Sequence, residues 1–128
     1  MAYVWADIPG YSKFGTYDGN SSDDGPFVNL GFRPAWLIVK RSNSSSTNWT
    51  ILDNKRDPDN VVNTRLFSNS TSADSVSGDN VAAVDFLSNG FKVRDSHQDG
   101  NSSSGEYVYM AFAERPEITP FDTFPNAR

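Results

Sequence analysis

The sequence predicts an all-β fold: an antiparallel β-sandwich, jelly-roll-like, with long polar loops and an extended C-terminal arm. Three observations carry this expectation. Residues that favour turns and loops, above all Asp, Asn and Ser, are abundant, while good helix formers are scarce. Nine Phe, five Tyr and three Trp supply enough bulky apolar surface for a core, which a disordered chain would not carry. Short apolar or alternating segments recur between turn signals at the spacing of a sandwich or barrel.

The segments follow in order. Tyr3 to Ile8 reads as a first strand, stopped by Pro9-Gly10, and Tyr11 to Tyr17 as a second. Asp18-Gly19-Asn20 and Asp23-Asp24-Gly25-Pro26 make a turn-rich loop. Phe27 to Leu30 is short and strand-like. Ala35 to Arg41 is a continuous apolar run, the pattern of a strand covered on both faces. After the polar loop Ser42 to Thr47, the segment Asn48 to Asp53 returns as a strand with Trp49, Ile51 and Asp53 on one face and Thr50 and Leu52 on the other. Asn54 to Asn63 is irregular, Arg65-Leu66-Phe67 a short strand, and Ser68 to Asn80 the most loop-like stretch. Val81 to Leu87 and Phe91 to Asp95 flank the tight-turn signal Ser88-Asn89-Gly90. Glu106 to Glu114 is apolar on both faces, which predicts a central strand. Trp5, Trp36 and Trp49 all fall in or beside these strands, so core packing is their expected role.

Residues 1–116 make the sandwich domain and residues 117–128 the arm. Pro116, Pro120 and Pro125 favour an extended, polyproline-like path there. Ile118, Phe121 and Phe124 stand three residues apart and share one face of such a path. They are the candidate assembly contacts. Two readings stay open: the arm closes over its own domain, or it packs on a neighbouring subunit.

Several function classes are excluded or disfavoured. With no cysteine there is no disulfide framework, thiolate zinc site or cysteine nucleophile. A single histidine, His97, rules out a multi-histidine metal site within one chain. The longest unbroken apolar stretch, Tyr107 to Ala113, is far too short to span a membrane, so no membrane insertion is expected. The N-terminus shows no basic region followed by an apolar core, so no secretory signal is expected. A net charge of −5 argues against nucleic-acid binding, which draws its affinity from Lys and Arg on phosphates.

Chemical motifs are weak. Asp95 to Glu106 has acids at positions 1, 5 and 12 of a twelve-residue calcium loop and Gly at position 6, but His97 occupies position 3 and the flanks read as strands. A solvated hairpin loop is the expectation. Asp53, Asp57 and Asp59 form a second acidic group, balanced by Lys55 and Arg56. His97 lacks the Gly-x-Ser-x-Gly elbow of a hydrolase. Five Asn-x-Ser/Thr triplets, at Asn20, Asn43, Asn48, Asn69 and Asn101, arise from composition. No cofactor and no catalytic activity are expected.

Three blocks of residues point further. The first runs from Pro9-Gly10-Tyr11-Ser12-Lys13-Phe14-Gly15-Thr16-Tyr17 through Gly19-Asn20 and Asp24-Gly25-Pro26-Phe27-Val28 to Gly31-Phe32-Arg33-Pro34-Ala35-Trp36. The second is Asp85-Phe86-Leu87-Ser88-Asn89-Gly90-Phe91-Lys92. The third is Tyr107-Val108-Tyr109-Met110-Ala111-Phe112-Ala113-Glu114, with the terminal Asn126-Ala127-Arg128. In this order they resemble a domain family of tailed-bacteriophage virion proteins, common in marine phages and cyanophages, that forms C-terminal domains of tail-fibre-like proteins. The resemblance implies a virion structural protein located in the tail or on the capsid exterior. It implies a tail-fibre or receptor-binding module that meets the host surface, with a capsid decoration protein as the alternative. Expected partners are other phage virion proteins, further copies of the chain in a homo-oligomer, with a trimer favoured, and a host surface glycan or protein. The resemblance carries over no catalytic or receptor-contact residue.

Overall fold

Alternation of side chains along one strand organises the molecule. The structure, a computed structural model, describes residues 4–76 and 83–115. Among them the strands are β1 (Ser12–Asp18), β2 (Phe27–Asn29), β3 (Pro34–Arg41), β4 (Thr50–Asp53), β5 (Thr64–Phe67), β6 (Ser75–Val76), β7 (Val84–Leu87), β8 (Gly90–Val93) and β9 (Glu106–Ala113), and there is no helix. They form two antiparallel sheets of a β-sandwich. The larger has the order β1-β9-β3-β4-β5, extended by the two-residue edge strand β6; the smaller is β2-β8-β7. As its sequence predicts, β9 is central, pairing with β1 from Ser12↔Phe112 to Asp18↔Glu106 and with β3 from Pro34↔Ala113 to Arg41↔Tyr107.

On β9, Tyr107, Tyr109 and Ala111 face the smaller sheet and are buried, while Val108, Met110 and Phe112 face the other way and are partly exposed. The same split runs across β3, whose Leu37 and Val39 point inward with their partners on β9. The core fills the space between the sheets with Leu37, Leu52, Phe86, Phe91 and Tyr107, each nearly or fully shielded from water. Phe91 meets Tyr17 and Tyr109 edge-on, at centroid distances of 5.9 and 5.5 Å, which joins the two sheets through aromatic contacts. Tyr109 also lies over Gly15 on the neighbouring strand: a Cβ there would come within 2.9 Å of the Tyr109 hydroxyl, so the missing side chain makes room for the ring.

The free strand edges carry side-chain hydrogen bonds. Along β1, the Phe14 N–H donates to Asp7 Oδ1 at 3.0 Å, and the Ser12 hydroxyl donates to the Ala6 carbonyl at 3.2 Å. Along β7, the Asn60 amide behaves as a one-residue strand. Its Oδ1 accepts from the Phe86 N–H at 2.8 Å and its Nδ2 donates to the Phe86 carbonyl at 3.1 Å.

Two expectations are corrected, and a third, the tight turn at Ser88-Asn89, is met with a different backbone. The segment Tyr3 to Ile8 is not a strand over its described residues; only Ile8 bridges to Ser12. The Pro9-Gly10 turn, with Gly10 at φ 73°, returns the chain at once, so the segment lies along β1 through Asp7 and Ser12. Ser75–Val76, expected in a loop, instead pairs with β5. The β7–β8 hairpin turns on Ser88 and Asn89, since Leu87 pairs with Gly90, and neither central residue has positive φ. Gly90 is needed for a different reason: β2 passes so close that a methyl group there would overlap the Val28 carbonyl oxygen.

Gly90→Ala is therefore expected to push β2 off β8 and cost about 1–3 kcal/mol, the usual range for overpacking, read as a lower midpoint in urea unfolding.

Candidate functional site

Two surfaces of the sandwich are candidates. The first is a cluster of loops at one end. Strand register gathers them. The end of β1 pairs with the start of β9 at Asp18↔Glu106, the end of β3 lies beside it at Arg41↔Tyr107, and Thr50, which opens β4, pairs with Phe67, which closes β5. The loops 19–26, 42–49 and 94–105 and the described part of the loop after β5 therefore leave the larger sheet at the same end.

These loops are tied together rather than left independent. Asn101, fully buried, is the hub. Its Oδ1 accepts from the Asn20 N–H at 2.7 Å, and its Nδ2 lies within hydrogen-bond distance of Asn20 Oδ1, the Ser22 carbonyl and the Asp95 carbonyl, at 2.7–2.9 Å. Its carbonyl accepts from the Ser21 N–H at 2.8 Å. Two tyrosines carry this network into the core. Tyr17 and Tyr107 stack with centroids 4.9 Å apart. Their hydroxyls donate at 2.8 Å to the carbonyls of Gly100 and Gln98. Burial pushes both phenols up from the usual tyrosine range, so they stay protonated donors. The loop 42–49 joins through Asn43 Nδ2, which donates to the Ser104 carbonyl at 2.7 Å, and through the Lys40 ammonium, which donates to the Ser44 carbonyl and the Thr47 hydroxyl. What remains exposed on this end is polar and includes Ser45, Ser46, Ser103 and Ser104.

The acids that suggested metal sites are occupied otherwise. The Asp95 carboxylate accepts from the backbone N–H groups of Ala83 and His97, at 2.8 and 2.7 Å. Burial raises it above the usual carboxylate range despite those two bonds. Asp99 is also buried, and its N–H donates to His97 Nδ1 at 3.2 Å. At the opposite end, Asp53 accepts from the N–H groups of Lys55 and Arg56 and pairs with the Arg56 guanidinium at 2.9 Å. Asp57 accepts from the N–H groups of Asn63 and Thr64 and from the Thr64 hydroxyl, at 2.6–2.8 Å. Burial raises the Asp57 carboxyl, but the bonds from Thr64 and Asn63 outweigh it and hold it below the usual range. Asp59 is exposed and does not join these two. Among the described residues no group of three or more acids or histidines could hold a metal ion.

The second surface is the outer face of the larger sheet. Here the expectation that the tryptophans fill the core is corrected. Trp5 is 59% and Trp49 37% exposed, and Trp36 packs on Phe112 of the same outer face. The inward positions of β3 and β4 belong to Leu37, Val39 and Leu52, so period-two alternation sends Trp36 and Trp49 outward. Trp5, Phe14, Ile38, Trp49, Val108 and Met110 line a trough of ≈ 370 Å³ across β1, β9 and β3. Trp5 stacks on Phe14 at 6.0 Å, and Phe14 meets Phe112 edge-on at 5.7 Å. The predicted contacts Ile118, Phe121 and Phe124 lie outside the described residues.

Sequence reasoning missed Asn101 and Asn60. Each is one Asn among many in polar stretches, with no local pattern to mark it. The outer face did leave a signal, in the unbroken apolar run of β9.

A family model describing a domain of unknown function, DUF7483, matches residues 1–116. The chain belongs to this family. No curated protein and no solved structure matches the chain. The family match thus covers both candidate surfaces and ends before the Ile118, Phe121 and Phe124 set.

Asn101→Ala strands the Asn20 N–H and the Ser22 and Asp95 carbonyls. It is expected to cost about 2 kcal/mol or more and to speed amide exchange at Asn20, measured by urea unfolding and hydrogen exchange. Asp57 and Asp95 are expected to titrate on opposite sides of an ordinary aspartate in carboxyl carbon NMR. With its folded pKa depressed, Asp57 contributes stability that is present above the unfolded value and lost as pH falls through the folded one. Asp95, with its folded pKa raised, favours the fold on the acid side, and that contribution is lost as pH rises from the unfolded value through the folded one.

Proposed function

We propose that the chain is a structural module of a tailed-bacteriophage particle, a tail-fibre or receptor-binding domain whose loop end meets the host surface. The observation that carries this reading is the loop cluster. Four loops emerge at one end, three of them cross-linked through Asn101, Tyr17, Tyr107 and Asn43, the fourth tied to its neighbour through Asn69, and they leave hydroxyl-rich tips exposed. Loops held on a rigid scaffold are where binding residues concentrate, and a preorganised polar tip loses less entropy on contact than a loose one. The resemblance of the Pro9–Trp36, Asp85–Lys92 and Tyr107–Glu114 blocks to phage virion domains supports the same setting. A structural rather than catalytic role is favoured because Asp53, Asp57 and Asp95 are committed to backbone N–H groups. The partner at the loop end is a host glycan or protein, and the active form is a homo-oligomer, with a trimer favoured because phage fibres are commonly three-fold.

A capsid decoration role is the second reading. The apolar outer face favours it, since a patch of this kind on a small module marks a contact with another protein surface.

Fluorescently labelled chain is expected to bind host cells and to compete with particle adsorption. Ser45→Arg with Ser103→Arg, at exposed tips whose side chains bear no cross-link, is expected to abolish that binding while leaving the urea midpoint unchanged. Binding that survives both substitutions, or labelled chain that decorates purified heads instead of cells, overturns the receptor reading.

A further inference from the structure

The trough on the outer face is apolar, and its occupant must be apolar too. Its side-chain lining offers no array of donors and acceptors: the Tyr109 hydroxyl belongs to the buried core face, and what remains is indole, phenyl, thioether and aliphatic surface. A glycan needs convergent polar groups to orient it, which this surface lacks. A polypeptide segment with regularly spaced apolar side chains fits better.

We propose that residues 117–128 of the same chain seat in this trough, crossing over Met110 with Ile118, Phe121 and Phe124 as their apolar side chains, one of them on Phe14 and the next on Ile38. The inference is independent of the receptor reading at the loop end, and it competes with the capsid-decoration reading for the same face. Two dimensions support it. Side chains three residues apart on a polyproline-like path recur every ~9.3 Å. Crossing the sheet from β1 over β9 to β3 spans two inter-strand gaps, ~9.6 Å. An arm laid across the strands thus places an apolar side chain at every second strand, on β1, β3 and beyond, with Trp5 and Trp49 as the walls. The reach is also sufficient. Met110 precedes Ala113 by three residues, ~10 Å along β9. The twelve residues 117–128 extend to ~37 Å on a polyproline path. A segment tethered this close holds an effective concentration that a separate copy does not match. The family model matches residues 1–116, so this occupant lies outside the matched range.

The test uses the full chain. Methyl-labelled methionine places a reporter, Met110, in the floor of the trough, and the absence of cysteine allows a single nitroxide to be attached through Ala127→Cys. Replacing Ile118, Phe121 and Phe124 together by Ser is expected to shift the Met110 methyl resonance and to raise acrylamide quenching of Trp5 and Trp49, with core resonances such as those of Val93 unmoved. The nitroxide is expected to broaden Met110 when both are on one molecule. It is expected to leave Met110 sharp when an unlabelled nitroxide-bearing chain is mixed with a nitroxide-free methyl-labelled one. An unmoved Met110 in the triple variant overturns the proposal. Broadening in the mixed sample overturns it as well, because the trough is then filled by another copy.

Discussion

The structure depends on the position of β9 between β1 and β3. A strand paired on both sides has no free backbone, so its side chains alone decide what each surface of the sheet becomes. On β9 both sets are apolar. Tyr107, Tyr109 and Ala111 create the core against the smaller sheet, and Val108, Met110 and Phe112 create a second apolar surface that the described residues leave open. A one-residue slip of this register would exchange the two sets and set Phe112 and Met110 against Phe91, so the packing on both sides fixes the pairing.

Core and loop end are one system because the same tyrosines belong to both. Tyr17 and Tyr107 bury their rings among Phe91 and its neighbours and spend their hydroxyls on the carbonyls of Gly100 and Gln98. Loosening that end would expose two phenols and an Asn with several bonds, each costly to leave unpaired. A long polar loop such as 94–105 therefore keeps a defined shape without any secondary structure of its own. This is how a chain with so many turn formers holds still.

The sandwich was legible from alternation and turn residues because those signals are local. β3, β4, β8 and β9 lie close to where the periodicity places them, and the central place of β9 follows from its apolar character on both faces. The Tyr3–Ile8 segment misled because apolar content says nothing of pairing: a strand needs a partner edge in register, and among the described residues the Pro9-Gly10 turn leaves one bridge, Ile8 to Ser12. The tryptophans misled for a related reason. Sequence shows which residues share a face but not which face meets the other sheet, and here the smaller side chains Leu37, Val39 and Leu52 won the inside. Asn60 acts through Phe86, 26 residues away, and Asn101 draws the loop of Asn20 and Ser22 in from 81 and 79 residues away, beyond any local pattern.

The bonds that Asp7 and Asn60 make to Phe14 and Phe86 have a consequence for how copies of this module can meet. An open edge of a sheet is a template on which a second chain can add as a further strand. Here Asp7 fills an outward N–H of β1 with a carboxylate, and Asn60 occupies both backbone groups of Phe86 on β7. Adding a strand at β1 or at β7 would first have to displace these bonds.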